Sequence, residues 1–167
     1  MKFGPVAVAK AAGAVLAHSV AAGALRLRKA HVLSPDDIEA LQAAGVREIV
    51  VAALEPGDLS EDEAATRLAR AMRFSGIEAK TAATGRVNLH ADAAGVFTVD
   101  RALVDAVNAV DPAVTLATLA EHAPVQAGQM VATVKIIPFA VPAAMVERVA
   151  SLLAGRPVFA VHPFRAL

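Results

Sequence analysis

The chain has no cysteine, no tryptophan and no tyrosine, and only six phenylalanines in 167 residues. Without cysteine there is no disulfide, no thiolate metal site and no cysteine nucleophile. This fits a reducing cytoplasm, the expected location. With so few aromatic faces there is little on which to stack bases, so single-strand nucleic-acid binding is not expected. Excess charge is lacking too: 16 basic and 16 acidic side chains give a formal net charge of zero. No global field draws the chain to nucleic acid or to an anionic membrane. No run of 18 apolar residues occurs, so no membrane span is expected. Alanine makes up about a quarter of the sequence. It buries little area per residue, so the high apolar fraction overstates the core.

Nucleophile, nucleotide and metal motifs are also missing. None of the five histidines stands two to four residues from another, so no metal site is expected. No serine sits in a Gly-x-Ser-x-Gly elbow, and no Walker loop or Gly-x-Gly-x-x-Gly occurs. Carboxylates gather at predicted helix starts (Asp36, Asp37, Glu61, Asp62, Glu63), where the helix dipole accounts for them. No catalytic residue is assigned. The acidic turn Glu55–Glu61 lacks the alternating oxygen ligands of a calcium loop and reads as a solvated turn.

What is present predicts a mixed α/β (α+β) domain: an opening β-α-β unit, then a mixed sheet with flanking helices. Residues 3–24 read as paired strands (Pro5–Ala9, Ala14–Val20) rather than a signal peptide, because Lys10 interrupts the apolar run. Leu25–Arg28 alternates apolar and basic residues, as a half-exposed strand does. Ser34 caps a helix with Pro35 at its first position and Gly45 as its stop, and Ile49–Val51 follows as a strand. Ser60 caps a second helix with Glu63 in capping-box position, predicted to end near Phe74. Further strands are expected at Ile77–Ala82, Val87–Leu89, Val96–Val99, Thr115–Leu119, Met130–Ile137 and Val158–Val161. Helices are expected over Arg101–Val110 and Pro142–Leu153. The chain reads as a single module, divisible into lobes 1–56 and 75–167 joined by the helix over 60–74.

Two polar features stand out. In Thr84-Gly85-Arg86-Val87-Asn88-Leu89-His90, a Thr-Gly turn would free backbone N–H groups. Arg86 offers a bidentate fork, and Asn88 and His90 share a strand face. This suits a phosphate or carboxylate, or else is a loop beside a solvated face. The second is Lys135, within Met130–Val141, where ten of twelve residues are apolar. A lysine in such a run is held for an anion or a partner, or guards a sheet edge.

Gly13–Val20, then Leu33-Ser-Pro-Asp-Asp-Ile38, Gly45-Val46 and Ile49–Val51, resembles the N-terminal region of bacterial molybdopterin-binding proteins. These are relatives of the MoeA/gephyrin family of molybdenum-cofactor biosynthesis. The Thr84–Leu89 and Met130–Val141 stretches carry the same resemblance, which spans about residues 3–165. Lys29-Ala30-His31 departs from the family's Lys/Arg-Gly-Thr. The pterin-binding domain that follows in the family has no counterpart here, with no Thr-Gly-Asp-Glu-type loop.

The resemblance implies a non-catalytic accessory module, self-associating as a homo-oligomer. With a downstream domain it would meet molybdopterin or its phosphate through Thr84, Arg86, Asn88 and Lys135. The residues also allow a small phosphometabolite transferase or hydrolase. That enzyme would use Arg86 and Lys135 as phosphate clamps and His90 as general acid/base. The three side chains must then converge in one pocket, which opposite faces of the sheet would forbid. A pure oligomerisation domain is the third alternative.

Overall fold

A computed structural model of the chain describes residues 1–165. It divides into two compact units, Met1–Asp58 and Leu59–Leu167. Both mix helices with strands, so the fold is mixed α+β.

The first unit contains β1 (Lys2–Ala7), a turn of 3-10 helix (Val8–Lys10), β2 (Val15–Leu16), β3 (Val20–Ala22), β4 (Leu25–Leu27), α1 (Pro35–Ala43) and β5 (Glu48–Ala53). β5 lies between β1 and β2, antiparallel to both. Val8, Leu16, Leu33, Leu41 and Val51 form its core. The expected β-α-β unit is corrected here. Its helix and second strand form, but β4 pairs in a hairpin with β3 and does not join the β5 sheet. Gly23, at φ +57°, turns that hairpin. With Arg26 and Arg28 exposed, β4 has no continuous apolar run to bury in a central position.

The start of α1 is held by a full capping box. The Ser34 hydroxyl accepts from the Asp37 N–H, and Asp37 accepts from the Ser34 N–H at 2.8 Å. His31 Nε2 lies 2.7 Å from the same Asp37 oxygen. The His31 contact and the two Ser34 hydrogen bonds lower the Asp37 pKa from 3.8 to about 2. A carboxyl more acidic in the folded state contributes stability above its unfolded pKa. That contribution is lost as pH falls through the folded value. The urea midpoint of the protein, followed by circular dichroism, should therefore drop between about pH 4 and pH 2. In Asp37→Asn that part of the drop should disappear; an unchanged acid profile would contradict the linkage.

The acidic turn finds its cation within the chain. The Met1 ammonium lies 2.6 Å from Asp58 and 3.0 Å from Glu55. These contacts raise the ammonium's pKa and lower those of both carboxyls.

The second unit begins within β6 (Asp58–Ser60), whose first residue closes the first unit, and goes on through α2 (Glu61–Ala71), β7 (Arg73–Ser75), β8 (Ile77–Ala79), β9 (Arg86–Ala91) and β10 (Gly95–Val99). It continues through α3 (Arg101–Asn108), β11 (Val114–Thr118), β12 (Pro124–Val125), β13 (Met130–Ile136), β14 (Ala140–Pro142), α4 (Ala143–Leu153) and β15 (Pro157–Pro163). One four-stranded sheet runs β11-β13-β9-β8 and is antiparallel throughout; the other runs β12-β10-β15-β7, and β6 pairs with β14. Both four-stranded sheets and α2, α3 and α4 share one core, in which Phe97, Leu68, Leu89, Leu103, Val146 and Leu153 are fully buried.

The helix expected to join two lobes lies wholly inside this unit. α2 buries Ala64, Ala65, Leu68 and Ala69 and packs on α4, β13 and β9. It also stops earlier than the sequence predicts. Met72 turns extended (ψ 146°), and Arg73–Ser75 runs parallel to β15. The open ladder of β15 supplies hydrogen bonds that another helical turn would have had to replace. At the far side of the β11 sheet, the Asn108 amide takes both backbone groups of Leu116. Its Nδ2 donates to the carbonyl at 3.0 Å, and its Oδ1 accepts from the N–H at 2.7 Å.

Candidate functional site

Strand alternation sorts the β11-β13-β9-β8 sheet into two faces. Val114, Leu116, Val134, Ile136, Val87, Leu89 and Ile77 point into the core. The opposite face carries the polar residues. Arg86 stands directly across from Lys135, and Lys135 across from Thr115. One row further, Asn88 faces Thr133, and beyond that His90 faces Glu78. Arg86, Asn88, His90 and Lys135 thus share one face.

Lys135 is not at an edge. β13 is an inner strand, flanked by β11 and β9, and Lys135 is half-buried on its open side. The edge-guard reading is overturned, and the apolar run does not bury Lys135 in a core.

The Thr84–Gly85 turn is also corrected. Its N–H groups are not free for a ligand: the Gly85 N–H donates to Asp62 Oδ1 at 2.7 Å, and the Arg86 N–H to the Ala83 carbonyl at 3.1 Å. Gly85 in turn accepts from the Ile136 N–H at 2.8 Å. The turn ties β9 to α2 and to β13, and so fixes the Arg86 row. Thr84 sits exposed in the left-handed region (φ 50°), on the turn rather than in the row.

The Arg86–Lys135 pair is an electrostatic anomaly. Like charges directly opposite on a sheet repel, with Cβ atoms about 4.5–5.5 Å apart. Among the described residues neither cation has an ion-pair or hydrogen-bond partner. Elsewhere on this face charge is balanced. Lys80 binds Glu78 at 2.5 Å, and this contact, more than the neighbouring His90, lowers the Glu78 pKa.

The remaining polar groups are partly spoken for. The Thr133 hydroxyl donates to Asn88 Oδ1 at 2.9 Å, which leaves the Asn88 amide hydrogens outward. His90 Nδ1 lies 3.1 Å from the Gly128 carbonyl; an oxygen that can only accept fixes the hydrogen on Nδ1. Thr115 and Thr133 were missed by sequence reasoning. Strict alternation through Ala132-Thr-Val-Lys would have placed Thr133 on the face of Lys135, whereas Thr115 reaches it through the register of β11 against β13.

Comparison with known proteins reaches the first unit alone. A family model described as a domain of unknown function, DUF8806, matches residues 5–53. No curated protein and no solved structure matches the chain. The polar face, on strands between residues 77 and 136, lies outside the matched stretch. Among the described residues, no group of His, Cys, Asp and Glu is placed to hold a metal, and no helix is long and apolar enough to cross a membrane.

Proposed function

We propose that this chain is a non-catalytic accessory module of a molybdopterin-binding protein. Its Arg86–Lys135 face forms one wall of a phosphate site completed by another domain or subunit. The observation that carries the reading is the pair of directly opposed, unneutralised cations on an inner position of the sheet. Such a pair costs stability unless an anion sits between them. Thr115 extends the row with a hydroxyl, and Asn88 adds outward amide donors.

The donor set fits the phosphate end of the cofactor and not its ring. No phenylalanine stands among the face residues Thr115, Thr133, Lys135, Arg86, Asn88 and His90. The ring would therefore be gripped elsewhere, which is what an accessory wall implies.

The same geometry argues against the phosphometabolite enzyme, although its three side chains do share a face. His90 is four residues along β9 from Arg86, about 13 Å at a strand's rise. A phosphoryl group held between Arg86 and Lys135 lies out of hydrogen-bond reach of that imidazole.

Calorimetric titration of inorganic phosphate and of molybdopterin tests the proposal. Both should bind this chain weakly, and molybdopterin should bind a form extended by a pterin-binding domain far more tightly. Lys135→Gln should lower phosphate affinity by about tenfold, in line with one charge-assisted contact. It should also raise the fold's stability by about 0.2–1 kcal/mol by relieving the repulsion. Equal tight binding of molybdopterin by this chain alone would reject the accessory role. No binding by either form would reject the pterin assignment, and a loss of stability in Lys135→Gln would reject the anion seat.

A further inference from the structure

On the other side of β9 from the polar face, a separate cavity of about 410 Å³ opens between the last turns of α2 and the segment leading from β8 into β9. Its origin is in the chain path. α2 ends at Met72, and the chain leaves β8 after Ala79 to run out to Gly85, where the Asp62 carboxylate pins it. The Ala83–Arg86 backbone pair braces the same segment. The cavity is thus an open cleft bordered by a loop fixed at both ends, with Arg70, Ala79, Lys80 and Thr81 exposed along its rim.

The walls say what fits. Met72, Val87 and Ala69 are buried, and with half-buried Phe74 they make an apolar floor. No acidic side chain lines the cavity. Lys80 contributes to the wall, but its ammonium is committed to Glu78. Arg70 lines the cavity and, among the described residues, has no ion-pair or hydrogen-bond partner. Arg67, one turn earlier, is paired with Glu147 at 2.9 Å. The hydroxyls of Thr66 and Thr81 are likewise unpaired among the described residues.

We infer that this cavity binds a small aromatic carboxylate. The volume falls within the ordinary range for small-molecule sites, about 300–1,000 Å³. A polarisable methionine beside a phenylalanine suits a flat ring. A single guanidinium with a planar fork suits a monoanionic carboxylate better than a doubly charged phosphate. The site is independent of the Arg86–Lys135 face, because Val87 turns inward where Arg86 and Asn88 turn outward.

The test uses 2-naphthoate and its neutral analogue 2-naphthamide, titrated into the whole chain and followed by amide NMR shifts. Naphthoate should bind at one site, shifting Thr66–Met72 and Ala79–Ala82. Naphthamide should bind at least tenfold more weakly. Arg70→Gln should weaken naphthoate by about tenfold and leave naphthamide unchanged, while Arg148→Gln on the exposed side of α4 changes neither. Equal affinity for acid and amide, shifts centred elsewhere, or no binding at millimolar ligand by the folded protein would each overturn the inference. An effect of Arg70→Gln on both ligands alike would also overturn it, because the guanidinium would then be shaping the cavity rather than reading the carboxylate.

Discussion

Phe97→Ala is expected to cost the protein about 3–5 kcal/mol, the usual range for deleting a buried aromatic ring. Phe97 is fully buried, and its ring stacks on that of Phe159 with centroids 5.7 Å apart and planes at 29°. The two rings meet diagonally across the β10–β15 ladder, where Phe97 pairs with Val161 and Phe159 with Val99. Removing one ring forfeits the apolar burial and the aromatic contact, which adds about 0.5–1.5 kcal/mol beyond area. It also leaves a hole in a core rich in alanine and valine. Those side chains are too short to reach into the space, so little relaxation should offset the loss. A typical domain is stable by only about 5–15 kcal/mol, so the variant should sit near its folding limit. With no tryptophan or tyrosine as an optical probe, urea unfolding is best followed by far-ultraviolet circular dichroism. A shift in stability below about 1 kcal/mol would show that this stack is not part of the cooperative core.

The second large effect concerns the turn that orders the candidate site. Gly85→Ala is expected to destabilise the fold by about 2–5 kcal/mol, combining left-handed backbone strain with overpacking. Gly85 has φ +72°, and an added Cβ would stand 2.8 Å from the Ile136 carbonyl oxygen and 2.8 Å from Glu61 Oε2. The Glu61 Cβ, 3.2 Å from the added carbon, is fixed on α2, and the Ile136 carbonyl belongs to the strand that carries Lys135, so neither yields easily. Relief must come from moving the turn away from β13, which would separate Arg86 from its partner across the ladder. Phosphate affinity should therefore fall with stability in Gly85→Ala, even though no ligand-facing side chain has changed. Chemical denaturation and phosphate titration on the same sample give both readouts. Full stability would show that the turn has room to shift without cost.

Much of this architecture was legible in the sequence where signals were local. Ser34 and Ser60, each with an acid three residues on, marked two helix starts, and both form complete capping boxes. Alternation in Val87–Leu89 and Val96–Val99 placed strands within a residue or two of where they lie. What escaped were pairings that depend on distant partners. Nothing in Arg73-Phe74-Ser75 announces a strand; the parallel ladder of β15, more than eighty positions later, makes it one. Leu25–Leu27 showed its strand character but not that its mate would be the neighbouring β3. Short pieces such as Pro124–Val125 and Ala140–Pro142 carry no periodicity of their own.

The site was legible in part for the same reason. Asn88 and His90 shared a face by their spacing of two; that Arg86 joins them follows from β9 beginning at Arg86 rather than at Val87. That Lys135 stands opposite Arg86 is a matter of register between strands almost fifty residues apart. The Thr84–Gly85 turn, which looked open to a ligand, had its N–H claimed by Asp62 from a helix whose contact the sequence does not encode locally.

The side chain of Asn108 closes the β11 edge of its sheet. By engaging both backbone groups of Leu116, its amide stands where the next strand of the sheet would be. A second molecule cannot zip onto β11 without evicting that amide and leaving it, or the strand, unsatisfied. If copies of this chain assemble, the sheet will not grow through this margin. Their meeting surface must be built from side chains rather than from a shared ladder here.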